Sequence, residues 1–225
     1  MKAIESSFSG LGGKFLSTPA EIEKKYAAVK AIIFDWDGVF NDGYKYGETG
    51  SLFSESDSMG VNLLRFNYFL IHNRHLRTFI ITGLHNKSAV SYVEREHFDG
   101  IFLNYKNKEI ALDIITGEYG IARHEAAFIF DDVLDLGIAR TAILSFFVKR
   151  KASPLTTEFV LNNKLCDYVT GMEGGDFAVR EVCELLMGLS GKFNETLEKR
   201  IQFTGSYAGF YEARQQVTTK VFTYG

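Results

Sequence analysis

The chain has 225 residues, 46% of them hydrophobic, which is enough for one well-packed core and too little for two large ones. Its net charge is −3 at pH 7 with acidic and basic residues intermixed, which excludes the basic footprint of a nucleic-acid or anionic-membrane binder and favours a small metabolite as partner. Cys166 and Cys183 lack metal or disulfide-scaffold spacing, no apolar run reaches spanning length, and no secretory pattern opens the chain, so buried thiols and a cytoplasmic location are expected.

Residues 1–29 read as a leader. The stretch 6–13 reads as loose, and Gly10-Leu11-Gly12-Gly13 within it is expected to be a flexible connector, because it has neither the preceding strand nor the Lys-Ser/Thr ending of a phosphate loop. Thr18-Pro19-Ala20-Glu21 is a capping box with proline at the first helical position, which predicts a short helix from 19 to about 29. From residue 30, apolar runs at 31–34, 78–81, 100–103, 127–130 and 143–148 read as buried parallel strands. They alternate with helical spacing at 61–71, 87–97, 108–119 and 133–139. That alternation predicts an α/β fold, a doubly wound, Rossmann-like parallel sheet with right-handed crossovers and strand order 3-2-1-4-5.

Residues 43–54 alternate and carry turn residues, so a β-hairpin flap is expected there. A further helix is expected over 176–189, closing a domain that spans 30–189. Residues 190–225 form an aromatic-rich C-terminal extension, whose apolar side chains need cover from the domain or from another subunit.

Asp35-Trp36-Asp37-Gly38 follows the first strand, at the sheet end where open α/β folds bind ligands. Two carboxylates that close repel unless a cation or hydrogen bonds compensate; a turn or helix cap would need only one. Asp131-Asp132 and Asp135 follow the fourth strand, and read alone they are equally a helix start with a favourable charge for the dipole. With strands one and four adjacent, Asp35, Asp37 and Asp131 converge. An all-oxygen donor set favours magnesium over zinc or copper. Thr82-Gly83 ends the second strand and Lys108 opens the helix after the third, which puts a hydroxyl and a cation on the same rim, with Lys106 competing for the lysine's role.

The order Asp35-x-Asp37-Gly38-Val39, then Thr82-Gly83, then Lys108, then Asp131-Asp132-x-x-Asp135 resembles the haloacid dehalogenase superfamily of phosphatases. The stretch 35–184 is further similar to the capless subgroup that includes 3-deoxy-D-manno-octulosonate 8-phosphate phosphatase. Asn41-Asp42-Gly43, Lys108-Glu109-Ile110-Ala111-Leu112 and Gly174-Gly175-Asp176-Phe177-Ala178-Val179-Arg180-Glu181 carry that likeness. The resemblance implies that Asp35 is the nucleophile and Asp37 the acid and base. It implies that Asp35, Asp37 (through its carbonyl) and Asp131 hold Mg2+ with Asp132 or Asp135 behind them, and that Thr82, Gly83 and Lys108 hold phosphate. It also implies a phosphorylated sugar acid as substrate, a role in lipopolysaccharide biosynthesis, and a homotetramer in which neighbouring copies cover the open site. The intervals 35–82 and 108–131 leave no room for a cap domain.

Two positions depart from the subgroup. Leu84 stands where an arginine usually follows Thr-Gly, and Phe130 stands where a glycine usually precedes the paired aspartates, so that its ring is expected to crowd the metal loop. His85, Lys87 or Arg180 then becomes a candidate substrate contact. A signalling receiver domain is rejected because its second acidic cluster would not come last. A catalytically weakened, sugar-phosphate-binding or partner-binding homologue is the alternative, opposed by the retention of mutually repelling acids that a non-catalytic chain has no physical reason to keep.

Overall fold

A computed structural model describes residues 1–225. Its strands are β1 (Lys14–Phe15), β2 (Ala31–Phe34), β3 (Arg77–Ile81), β4 (Gly100–Leu103), β5 (Ala126–Phe130), β6 (Leu144–Phe147), β7 (Tyr168–Val169) and β8 (Lys220–Thr223). They form one sheet in the order β1-β7-β6-β5-β2-β3-β4-β8, antiparallel only between β1 and β7. The middle five strands, read from β4, have the doubly wound 3-2-1-4-5 order.

These strands are continuous apolar runs because both faces are covered. Ile32, Phe34, Ile80 and Ile129 face one layer, built from helices α2 (Pro19–Tyr26), α3 (Glu55–His72), α4 (Lys87–Arg95) and α8 (Ala178–Leu189). Their neighbours Ala31, Ile33, Phe79, Ile81 and Phe128 face the other, built from α5 (Lys108–Tyr119), α6 (Leu136–Ala139) and α7 (Pro154–Asn162). Phe130 belongs to this second core: it is fully buried beside Phe128 and Phe147, so its ring points into the protein and does not crowd the loop that follows.

Two local expectations, for the N-terminal stretch and the flap, are corrected. Residues 2–10 form helix α1 (Lys2–Gly10), because Ile4 and Phe8 pack on the core beside α8; the stretch expected to be loose from residue 6 is therefore helical as far as Gly10, and only 11–13 connect α1 to β1. Residues 43–54 contain no strand. A single 3-10 turn (Gly47–Thr49) closes the flap through the Tyr46 N–H bonded to the Gly50 carbonyl at 2.9 Å, so the flap is a loop and not a β-hairpin. The tail adds α9 (Phe193–Gln202), α10 (Ser206–Gln215) and β8. Tyr207 and Phe210 pack on Phe66 of α3, Thr196 accepts from Asn67, and Phe222 stacks on Phe102 with centroids 4.5 Å apart, so the domain covers these side chains, while Ile201, Phe203, Val221 and Tyr224 stay exposed. No helix is long and apolar enough to cross a membrane, and both cysteines are free and buried.

Where α3 meets α8, Asp57 is fully buried. Its Oδ1 accepts from the Arg180 N–H at 2.8 Å, while Oδ2 has no partner. Burial raises its pKa to about 6, the hydrogen bond opposing. The folded state thus binds this proton more tightly than the unfolded chain. The group's contribution is fully present below the ordinary carboxylate value of 3.8 and is lost as pH rises through about 6. Asp57→Asn is expected to raise unfolding free energy at neutral pH by about 1–3 kcal/mol and to change it little near pH 4, which denaturant titrations at both pH values would check.

Candidate active site

The register of β2 with its two neighbours sets the site. Phe34 pairs with Ile80 on one side and Ile129 on the other, so Asp35, Thr82 and Asp131 leave three adjacent strands at nearly one level. Asn107 caps α5 by accepting from the Glu109 N–H at 3.2 Å, which fixes Lys108 in the first turn with its side chain over the sheet end.

Lys108 Nζ donates to Asp35 Oδ1 at 2.5 Å and lies 2.6 Å from Asp135 Oδ1. All three side chains are buried. Burial opposes the lysine's charge, but the Asp135 and Asp35 carboxylates outweigh it and hold its pKa above the ordinary lysine value. Oxygens of Asp35, Asp131 and Asp135 lie within 4.8 Å of one another. Burial, then the charges of Asp35 and Asp135, push Asp131 up to about 9, while burial pushes Asp135 up to about 7 against the pull of Lys108.

The three carboxylates thus face only two cations, Lys108 and Arg150. Asp131 Oδ2 is held by Arg150 Nη2 at 2.6 Å, and its buried Oδ1 has no partner at all. An orphaned carboxylate oxygen facing two further carboxylates, with no histidine or cysteine in the set, fits a hard cation.

The loops around the cluster are tightly specified. Gly38 has φ +90°, and a Cβ there would lie 2.0 Å from Asp131 Oδ2, so only glycine permits the close approach. Asn41 ties the same loop together, accepting from the Gly43 N–H at 3.0 Å and donating to the Trp36 carbonyl at 3.1 Å. Gly174 packs directly on the Gly38 carbonyl from the other side.

Asp37 is oriented differently from its partners. Its Oδ2 pairs with Lys45 at 2.5 Å and its Oδ1 accepts from Ser51, both on the flap; Asn86, the cap of α4, donates to Ser51 at 3.1 Å. The flap is thus latched to Asp37, and the Asp37 carboxylate lies outside the group of three. Asp135, expected behind the ligands, is one of the three. Asp132 turns outward and caps Val133 at 2.7 Å, so it does not join them. Thr82 is buried and donates to the Leu84 carbonyl at 3.3 Å, with the partly exposed Gly83 beside it. Leu84 and His85 are exposed, and no hydrogen bond anchors the His85 ring. Arg180 pairs with Glu184 at 2.7 Å and lies against Gly60 of α3, committed to helix packing. Arg150 is the site residue that sequence reasoning overlooks, although it stands just past the fifth apolar run, where the strand-end rule applies.

No protein-family model matches the chain. It is 30% identical over 171 residues to 3-deoxy-D-manno-octulosonate 8-phosphate phosphatase KdsC of Salmonella typhi, covering 74% of this chain and 84% of the relative. It is 29% identical over 180 residues to KdsC of Escherichia coli, covering 78% and 88%. A crystal structure of 3-deoxy-D-manno-octulosonate 8-phosphate phosphatase from Moraxella catarrhalis, in complex with magnesium, phosphate and KDO, superposes with a TM-score of 0.66. It is 28% identical and covers 80% of this chain and 97% of that one. With acids, lysine and threonine gathered at the carboxyl ends of a doubly wound sheet, the chain belongs to the KdsC family of haloacid dehalogenase superfamily phosphatases.

Proposed function

We propose that this phosphatase is a magnesium-dependent phosphomonoester hydrolase working through a phosphorylated Asp35, and that its substrate is a 2-keto-3-deoxy sugar acid phosphate such as 3-deoxy-D-manno-octulosonate 8-phosphate. The observation that carries the reading is the convergence of Asp35, Asp131 and Asp135 within 4.8 Å around Lys108 at the ligand-binding end of the sheet. The names of the relatives support the substrate class.

Asp35 attacks phosphorus, a bond forms from its carboxylate oxygen, and the ester P–O bond breaks. Asp37 gives its proton to the leaving alcohol and then takes one from the water that hydrolyses the aspartyl phosphate, releasing inorganic phosphate. Lys108, already against Asp35, offsets the charge gathering on the transferring oxygens, and Thr82 and Gly83 offer a hydroxyl and a backbone N–H on the same rim. Asp35, Asp131 and the Asp37 carbonyl would hold magnesium, with Asp135 lining the cluster. When bound, the ion supplies the positive charge that Asp131 Oδ1 lacks and neutralises phosphate oxygens.

The test is phosphate release from a panel of sugar phosphates with magnesium and with chelator. Turnover of the sugar acid phosphate that chelator abolishes and added magnesium restores is expected; turnover untouched by chelator would refute the metal assignment. The flap also presents Tyr44, Tyr46 and Leu52 to solvent at 71%, 57% and 48% exposure, which supports a homotetramer with the flap at its interfaces. Light scattering is expected to give four copies, and a monomer at working concentration would exclude that assembly.

A further inference from the structure

The loop after β6 carries three cations in a row, Lys149-Arg150-Lys151, on a chain whose net charge is −3. It lies at the rim of the acidic cluster. Arg150 uses only Nη2, on Asp131 Oδ2, and its other donors have no partner. Its side chain is 39% exposed, and Nη1 lies near Gly43 at the base of the flap. Lys151 is 89% exposed and touches only Glu173, at 3.4 Å.

Most other cations around the site are committed; Lys106, exposed beside Gly83 and Leu84 on the opposite side of the rim, is the exception. Lys108 is held by Asp35 and Asp135, Lys45 by Asp37 and Ser51, Lys87 by Glu48, and Arg180 by Glu184. Leu84 is exposed but cannot donate a hydrogen bond.

A phosphorylated sugar acid brings a dianionic phosphate and a carboxylate. Lys108 and a metal ion answer the phosphate. The carboxylate still needs a donor, and a planar guanidinium with free N–H groups matches its two oxygens. An adjacent exposed ammonium draws the polyanion in by its charge.

We propose that Arg150 and Lys151 select a carboxylate-bearing phosphoester, with Arg150 as the inner donor that bridges Asp131 and the substrate and Lys151 as the outer cation, while Lys149 turns away to the Gly12 carbonyl. This rests on the phosphohydrolase reading of Asp35.

The test compares 3-deoxy-D-manno-octulosonate 8-phosphate with ribose 5-phosphate, a phosphoester without a carboxylate, on wild type, Arg150→Ala, Arg150→Lys and Lys151→Glu. Wild type is expected to prefer the acid. Arg150→Ala and Lys151→Glu are each expected to lose at least ten-fold more kcat/KM on the acid than on ribose 5-phosphate, chiefly through KM, and Arg150→Lys to recover part of the loss. Equal losses on both substrates would reduce Arg150 to a support for Asp131 and overturn the proposal, as would no loss or a wild type indifferent to the carboxylate. Failure of wild type to release phosphate from either ester would instead remove the hydrolase reading, and the proposal with it.

Discussion

Asp35→Asn is expected to reduce kcat by at least about 10⁴-fold on every phosphoester the wild type accepts, because the proposed reaction runs through Asp35 as nucleophile and an amide cannot take that part. The change is nearly isosteric, and the amide keeps an oxygen that accepts from Lys108 where Asp35 Oδ1 does now. It also removes the Asp35 charge from a crowded group of acids, which relieves Asp131 and Asp135, the two acids whose pKa values burial and the Asp35 charge raise. The variant should therefore unfold at the wild-type temperature or above while losing turnover. Phosphate-release assays and a thermal melt on one preparation check both halves. An inactive variant that was also unfolded would say nothing of chemistry, whereas a folded, active one would remove Asp35 from the reaction.

In the proposed mechanism Lys108 carries structure and chemistry together, so its removal should cost both. Lys108→Ala leaves Asp35 and Asp135 buried without their shared cation, and breaking a buried pair in this way typically costs about 3–5 kcal/mol. It also removes charge stabilisation where phosphoryl oxygens gather negative charge, an effect of about 10²–10³ in kcat for a single such donor. Lys108→Met separates the two contributions, since it keeps the aliphatic packing and loses only the charge. Both variants should show comparable losses of kcat, with the methionine the more stable in denaturant titrations. A methionine variant with wild-type kcat would confine Lys108 to a structural role.

The residues at strand ends were legible because a buried parallel strand is a continuous apolar run, and whatever polar residue follows it is placed by the sheet. That rule finds Asp35, Thr82 and Asp131, and the helix-opening position finds Lys108. It fails to rank Asp132 against Asp135, since each suits a helix start; only the capping of Val133 by Asp132 turns one outward and leaves the other inside. Arg150 obeys the same rule yet reads as one of three surface cations until its pairing with Asp131 is seen.

The flap misleads for a physical reason. Alternation with glycines suits a hairpin, but Lys45 and Ser51 are drawn to Asp37, and that tertiary pull replaces a ladder with one turn. Helix α1 has no capping side chain and is held by Ile4 and Phe8 on distant residues, while β8 pairs with β4 across 120 residues of sequence. Neither leaves a local signal. Helix α7 did leave one, Ser153-Pro154 at its start, which the alternation of strand and helix obscured.

Identifying the residue that carries the phosphoryl group is the most direct measurement. Enzyme quenched during turnover and treated with borohydride, which reduces an acyl phosphate and spares a free carboxylate, should yield a peptide reduced at position 35 alone by mass spectrometry. Omission of substrate or the Asp35→Asn change should abolish that product. Reduction at another aspartate, or steady phosphate release under conditions that trap a synthetic acyl phosphate yet leave position 35 unreduced, would contradict a reaction through Asp35.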